Sequence, residues 1–216
     1  LMFFVIGLPI VWATEALTEF LEGLQGSGKF LFGSIVGGMA AFDFGGPVNK
    51  VASLFADGLL LEGVQGPEAV KVLASMVPPF GVTISWVLSK IVRKRKYSKE
   101  EEDNIKIAFP MGLCMITEGV IPIAAVDPLR VIFSCTVGAA IGGGLSMSWG
   151  VGSPVPSGGV FIIPAMTDPL KFTLALLIGS AITGILLFVL KKEPVENEIK
   201  DDEEEEEVDF SSIKIS

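Results

Sequence analysis

Three stretches of the chain are apolar at almost every position for about the length of a bilayer-crossing helix. They are residues 72–92 (VLASMVPPFGVTISWVLSKIV), 131–149 (VIFSCTVGAAIGGGLSMSW) and 172–190 (FTLALLIGSAITGILLFVL). The first carries a single charge, near its end; the other two carry none. Each matches the run needed to cross a hydrocarbon core of about 30 Å, so each predicts a transmembrane helix. Pro78-Pro79 predicts a kink in the first, because proline lacks an amide donor and its ring crowds the preceding turn. Gly138-x-x-x-Gly142 and Ser180-x-x-x-Gly184 place small residues one turn apart, which lets helices approach closely in lipid.

Residues 105–130 (IKIAFPMGLCMITEGVIPIAAVDPLR) follow a different pattern. Two short apolar arms are broken by Thr117-Glu118-Gly119 and Pro122. Neither arm is long enough to span, and irregular backbone at membrane depth is tolerated only where protein or a wet cavity surrounds it. Residues 30–50 (FLFGSIVGGMAAFDFGGPVNK) are similar: an apolar arm stops at Asp43 and Gly45-Gly46-Pro47, a sharp helix-ending signal. Residues 13–26 alternate Leu/Phe with Glu at helical spacing, which predicts an interfacial helix. Residues 97–104 (YSKEEEDN) read as a solvated loop.

Basic residues set the orientation. Arg93, Lys94, Arg95 and Lys96 follow the first span, and Lys191 and Lys192 follow the last. The positive-inside rule puts both clusters in the cytoplasm. The spans 131–149 and 172–190 lie between them and return the chain to the same side. Parity therefore closes only if 105–130 does not cross. The expectation is a re-entrant hairpin from the cytoplasmic side with Glu118 near its tip.

Composition supports a membrane body with a charged appendage. Half of the 216 residues are hydrophobic, 19% are charged and the mean hydropathy is +0.61. Of the 25 acids, 11 fall in residues 193–216, against Lys200 and Lys214; residues 1–192 hold the other 14 acids and 14 bases, a net charge of zero. An acidic nucleic-acid mimic is thereby excluded, and no nucleic-acid partner is expected. The tail from Glu193, with five consecutive Glu, is expected to be a disordered cytoplasmic extension. The chain opens inside an apolar run without an initiator Met, so residues 1–192 read as part of a longer membrane domain whose upstream helices are missing. The fold class is an all-α membrane protein with re-entrant hairpins.

The absence of histidine rules out His triads, His metal sites and a phosphohistidine carrier within this chain. Cys114 and Cys135 form neither a CxxC motif nor a disulfide framework and read as packing thiols. No nucleotide cradle is present, and no metal or cofactor is expected. Energy for active transport must come from an ion gradient or a partner.

Ionisable residues inside membrane segments are costly, and they point to function. Glu118, beside a Gly-Pro break, can accept hydrogen bonds from sugar hydroxyls or take a proton as a hydroxyl attacks phosphorus. The plainer reading is an ion pair with Arg130 or Lys50. Asp43, Asn49 and Lys50 surround the Gly-Gly-Pro break and suit either a hydroxyl ligand or turn chemistry. Arg130, in Asp127-Pro128-Leu129-Arg130, suits a phosphate or a membrane-surface anchor.

The motifs AFDFGGPVNK (41–50), MVPPFG (76–81), ITEGVIPIAAVDPLR (116–130) and PSGGVFIIP (156–164) resemble enzyme IIC, the membrane permease of the fructose branch of the bacterial phosphoenolpyruvate-dependent sugar phosphotransferase system. The resemblance runs from about residue 1 to 190 and covers the C-terminal part of that domain. It implies an inner-membrane protein that imports a sugar and phosphorylates it in the same event. Ile116-Thr117-Glu118-Gly119 is similar to the superfamily's sugar-gripping hairpin motif, which implies that Glu118 and Thr117 hold the sugar. It also implies a IIB partner carrying phosphocysteine, a IIA partner carrying phosphohistidine, and a homodimer. At Pro156-Ser157-Gly158-Gly159 the chain departs from the fructose pattern Pro-His-Gly-Gly; Ser157 can hydrogen-bond a hydroxyl but does not relay protons as histidine does. The departure brings a mannosylglycerate-type substrate, whose anion would suit Lys50 or Arg130, alongside fructose. The competing class is an ion-coupled secondary sugar transporter, which shares broken helices and a carboxylate at membrane depth.

Overall fold

The computed structural model describes residues 27–192. Among them the chain is helical, with no strand. The helices are α1 (Ser27–Phe42), α2 (Pro47–Leu61), α3 (Gly66–Ile91), α4 (Lys99–Leu113), α5 (Ile121–Val126), α6 (Pro128–Ser148) and α7 (Pro169–Leu190). Two 3₁₀ turns, Thr117–Val120 and Gly159–Ala165, precede α5 and α7. The helix expected over 13–26 and the tail from Glu193 lie outside the described residues.

The three expected spans are α3, α6 and α7, with 26, 21 and 22 residues, each long and apolar enough to cross a membrane. All three begin three to six residues before the apolar pattern does. The reason is that proline opens each helix, where its fixed φ suits the first turn and its missing N–H costs nothing. Two of these starts repeat one motif. Asp127-Pro128-Leu129-Arg130 and Asp168-Pro169-Leu170-Lys171 each close an i,i+3 ion pair, at 2.8 and 2.9 Å. Asp168 also accepts the Lys171 amide at 3.1 Å. The Lys171 side chain and then that amide hold the Asp168 carboxyl below its ordinary range.

Close backbone approach builds the bundle. α1 lies antiparallel on α6: a Cβ at Gly33 would fall 2.5 Å from the Gly143 carbonyl, and one at Gly37 2.5 Å from the Ala139 carbonyl. α6 lies antiparallel on α7, where a Cβ at Gly138 would meet the Thr183 hydroxyl and come within 2.5 Å of the Gly179 carbonyl. The Gly138/Gly142 stripe thus packs as the spacing predicts, against Gly179 and Ala175. Leu170, Leu174, Leu177, Ile185 and Val189 on α7 face outward, as a lipid-facing side would.

The two basic clusters meet at one end of the bundle. Lys96 Nζ donates to the Lys191 carbonyl at 2.6 Å, and Lys191 Nζ lies 2.7 Å from Glu101 Oε1 and over the Tyr97 ring. Glu101 also completes a capping box with Ser98 at the start of α4. Residues 97–104 are therefore not a plain solvated loop: Tyr97 is buried, its hydroxyl donates to Ser85 at 2.7 Å, and burial pushes it above its ordinary pKa. Asp127 and Arg130, at the start of α6, share a groove with Leu190 at the end of α7. The segment between α3 and α6 accordingly leaves from and returns to the same end of the bundle. Residues 51–61, which carry no long apolar run, extend the break at 43–46 into α2.

Gly138→Ala should destabilise the protein in detergent by about 1–3 kcal/mol, the usual cost of overpacking a tight contact. Gly58→Ala on α2, where a Cβ meets nothing within 4 Å, should be neutral or stabilising. Thermal unfolding of both variants checks this.

Candidate functional site

Pro78-Pro79 does not interrupt α3, which runs from Gly66 to Ile91. The prolines do remove both backbone donors, at i+3 and i+4, that the Ser75 carbonyl would use within the helix. That carbonyl accepts instead from the Thr117 hydroxyl, at 3.0 Å, across 42 residues of sequence. Ser75 lies 16 residues from the C-terminal, basic end of α3, which is about 24 Å along the helix axis. The Thr117–Glu118 turn is thus pinned deep in the bundle although its segment starts and finishes at that end.

Three further turns close around it. In the first, Gly45 has φ +98°, a conformation that favours glycine. A Cβ there would fall 2.6 Å from Glu118 Oε1, so the absent side chain gives the carboxylate its place. The second is the end of α4, where Met115 adopts φ +67°, an uncommon conformation for a residue with a side chain. The third carries Ser157 and packs on α4 through Gly159, whose added Cβ would collide with the Leu113 carbonyl.

These turns enclose a polar cavity of about 300 Å³, at the lower end of the usual size for small-molecule sites. Asn49, Lys50, Thr117, Glu118 and Ser157 all line it, although they come from three separate parts of the chain. Asn49 and Thr117 are buried; Lys50, Glu118 and Ser157 are exposed to the cavity or its mouth. The Asn49 amide donates to the Ala40 carbonyl, and its oxygen accepts from Ser53 at 3.3 Å. Neither the Glu118 carboxylate nor the Lys50 ammonium has a hydrogen-bond or ion-pair partner among the described residues.

Two expected site residues stand elsewhere. Asp43 does not line the cavity: its oxygens accept the Val48 and Asn49 amides at 2.7 and 2.9 Å, covering the first turn of α2, which is the turn chemistry open to it. Arg130 lines a separate groove with Leu129, Phe133 and Leu190 and pairs with Asp127. It does not pair with Glu118.

Sequence reasoning missed Ser53, Asp57, Lys71 and Ser75, which also line the cavity. A signal was there. Asn49, Ser53 and Asp57 recur every four residues, one polar stripe on α2. Glu68, Lys71 and Ser75 make a matching stripe on α3. Hydropathy alone begins that helix after Lys71 and hides the stripe.

Thr117→Val should leave the buried Ser75 carbonyl unpaired and cost about 1–3 kcal/mol. Pro79→Ala returns an amide donor to that carbonyl, so the double variant should lose less than the two single losses added together. A double-mutant cycle on unfolding free energy measures the difference.

No protein-family model matches the chain, and no solved structure matches it. Curated proteins do. The chain is 44% identical over 191 residues to the PTS system fructose-specific EIIC component of Haloferax volcanii, which covers 88% of this chain and 50% of that protein. It is 41% identical over 195 residues to the fructose-specific EIIB'BC component of Xanthomonas campestris, covering 88% of this chain and 33% of that one. With the fructose-specific EIIABC component of Bacillus subtilis it shares 39% over 192 residues, 89% of this chain and 30% of the relative. The chain spans half or less of the length of these three relatives. Along most of its own length, it is similar to part of the EIIC component of fructose-specific phosphotransferase proteins.

Proposed function

We propose that this chain forms the sugar-binding part of a IIC permease, which imports fructose and hands it on phosphorylated. The observation that carries the reading is the polar cavity, which gathers Asn49, Lys50, Thr117, Glu118 and Ser157 around a carboxylate left free of protein partners. The similarity to fructose-specific relatives supports the sugar, and relatives whose names join B and C, or A, B and C, support IIB and IIA as partners.

In this reading α3, α6 and α7 cross the cytoplasmic membrane, with the basic end of the bundle and the tail in the cytoplasm. The segment from α4 to α5 is a re-entrant hairpin. Supporting this are its return to the basic end and the pinning of its middle to Ser75. Glu118 then meets the sugar at depth, inside protein and not in lipid.

The chemistry asks little of the chain beyond positioning and charge. A sugar hydroxyl oxygen attacks the phosphorus of phosphocysteine on IIB. The O–P bond forms as the S–P bond breaks, and the thiolate stays on IIB. The hydroxyl proton passes to Glu118 and from there to water. Asn49 and Ser157 orient other hydroxyls, and Lys50 offers positive charge to the transferring phosphoryl group.

The complete protein in proteoliposomes tests this. Fructose should appear inside as its phosphate, and only when phosphorylated IIB is supplied. Unphosphorylated fructose accumulating on an ion gradient without IIB would point to a secondary transporter instead; mannosylglycerate phosphorylated in preference to fructose would overturn the sugar assignment. Glu118→Gln should abolish fructose phosphorylation while leaving membrane insertion intact.

A further inference from the structure

We propose that Asp57 on α2 and Lys71 on α3 form a diol-recognition pair in the wall of the cavity, gripping two neighbouring hydroxyls of the substrate. The proposal deepens the reading of the cavity as a sugar site and rests on it.

Lys71 Nζ lies 2.5 Å from Asp57 Oδ1 and 2.7 Å from Glu68 Oε1. The two carboxylates differ in setting. The Glu68 side chain is 0% exposed and sits in ion contact with Lys71. It stands behind Lys71 and draws the ammonium into the wall, where the lysine side chain is 5% exposed. Asp57 reaches Lys71 from another helix, and its side chain is 40% exposed and lines the cavity. One ammonium thus faces two carboxyl groups, and of the two it is Asp57 that opens to the cavity.

Taking charges out of water is costly, and a pair kept only for packing is often replaceable by apolar groups. Here the arrangement leaves hydrogen-bonding capacity free. An ammonium has three donors; one goes to Asp57, and Lys71 itself lines the cavity. The Asp57 side chain is 40% exposed, which leaves carboxylate surface open to the cavity. An ammonium and a carboxylate side by side in the cavity wall match a vicinal diol: one hydroxyl donates to Asp57 while its neighbour accepts from Lys71. Glu118, carried by a different segment, then provides a separate acceptor for a third hydroxyl.

The experiment uses the complete protein with radiolabelled fructose, read by equilibrium binding and thermal unfolding. Asp57→Asn, at a partly exposed position, should weaken binding roughly tenfold or more, the scale of a lost charged hydrogen bond, with little change in unfolding temperature. Lys71→Gln should weaken it comparably, and Lys71→Arg should recover part of the loss. Among deoxyfructose analogues, one should bind the wild type as weakly as fructose binds Asp57→Asn, with no further loss on that variant. Wild-type affinity in Asp57→Asn and Lys71→Gln, while Glu118→Gln loses binding, would make the cluster a structural ion pair and overturn the proposal with the sugar site standing. If Glu118→Gln also binds as the wild type does, the sugar-site reading fails and this proposal with it. Should Lys71→Gln not fold, Asp57→Asn and the analogue series decide alone.

Discussion

The hydrogen bond from Thr117 to the Ser75 carbonyl holds the site together. Its cause is a deletion. Two consecutive prolines strip one carbonyl of its intrahelical donors, and a buried acceptor without a partner is costly, more so in a membrane. The chain answers with a hydroxyl from a distant segment, and that hydroxyl belongs to the residue before Glu118. The defect in one helix therefore sets where the carboxylate stands. Pro79 also packs on Gly112 of α4, so both the end of that helix and the turn beyond it are referred to α3.

The remainder of the bundle makes room for an irregular segment at that level. Glycine seams between α1 and α6, and between α6 and α7, bring backbones close enough that a single methyl group would collide. Tight contact there leaves α2, α3 and the Thr117–Glu118 turn to surround a polar space. At the basic end, the buried Lys191–Glu101 pair, with Tyr97 and Lys96, ties the last helix to the start of α4. That latch fixes where the segment bearing Glu118 begins, and the groove shared by Asp127 and Leu190 marks where it returns.

Much of this was legible in the chain. Uninterrupted apolar runs marked α3, α6 and α7, since bilayer-length hydrophobicity has few other uses. The breaks at Gly45-Gly46-Pro47 and Thr117-Glu118-Gly119 marked two of the turns around the cavity. The rest depended on signals that hydropathy ignores. Asp57 and Lys71 belong to polar stripes that read as helical only at a spacing of three to four residues, and Lys71 sits just before the apolar run of α3. Arg130 stands where Lys171 does, each closing an Asp-Pro-Leu helix start through an ion pair. Asp43 reads from the sequence as ligand or turn former, and its carboxylate accepts the Val48 and Asn49 amides. The Ser75–Thr117 contact was beyond sequence pattern, since nothing local links residues 42 apart.

The central claim is that the cavity beside Glu118 receives the sugar. A structure of the complete protein determined with fructose tests it most directly. The account predicts a ring in the cavity, with hydroxyls within hydrogen-bond distance of the Glu118 carboxylate and the Asn49–Asp57 face of α2. A sugar bound elsewhere, with this cavity empty and Glu118 turned to lipid or sealed in an ion pair, would contradict it.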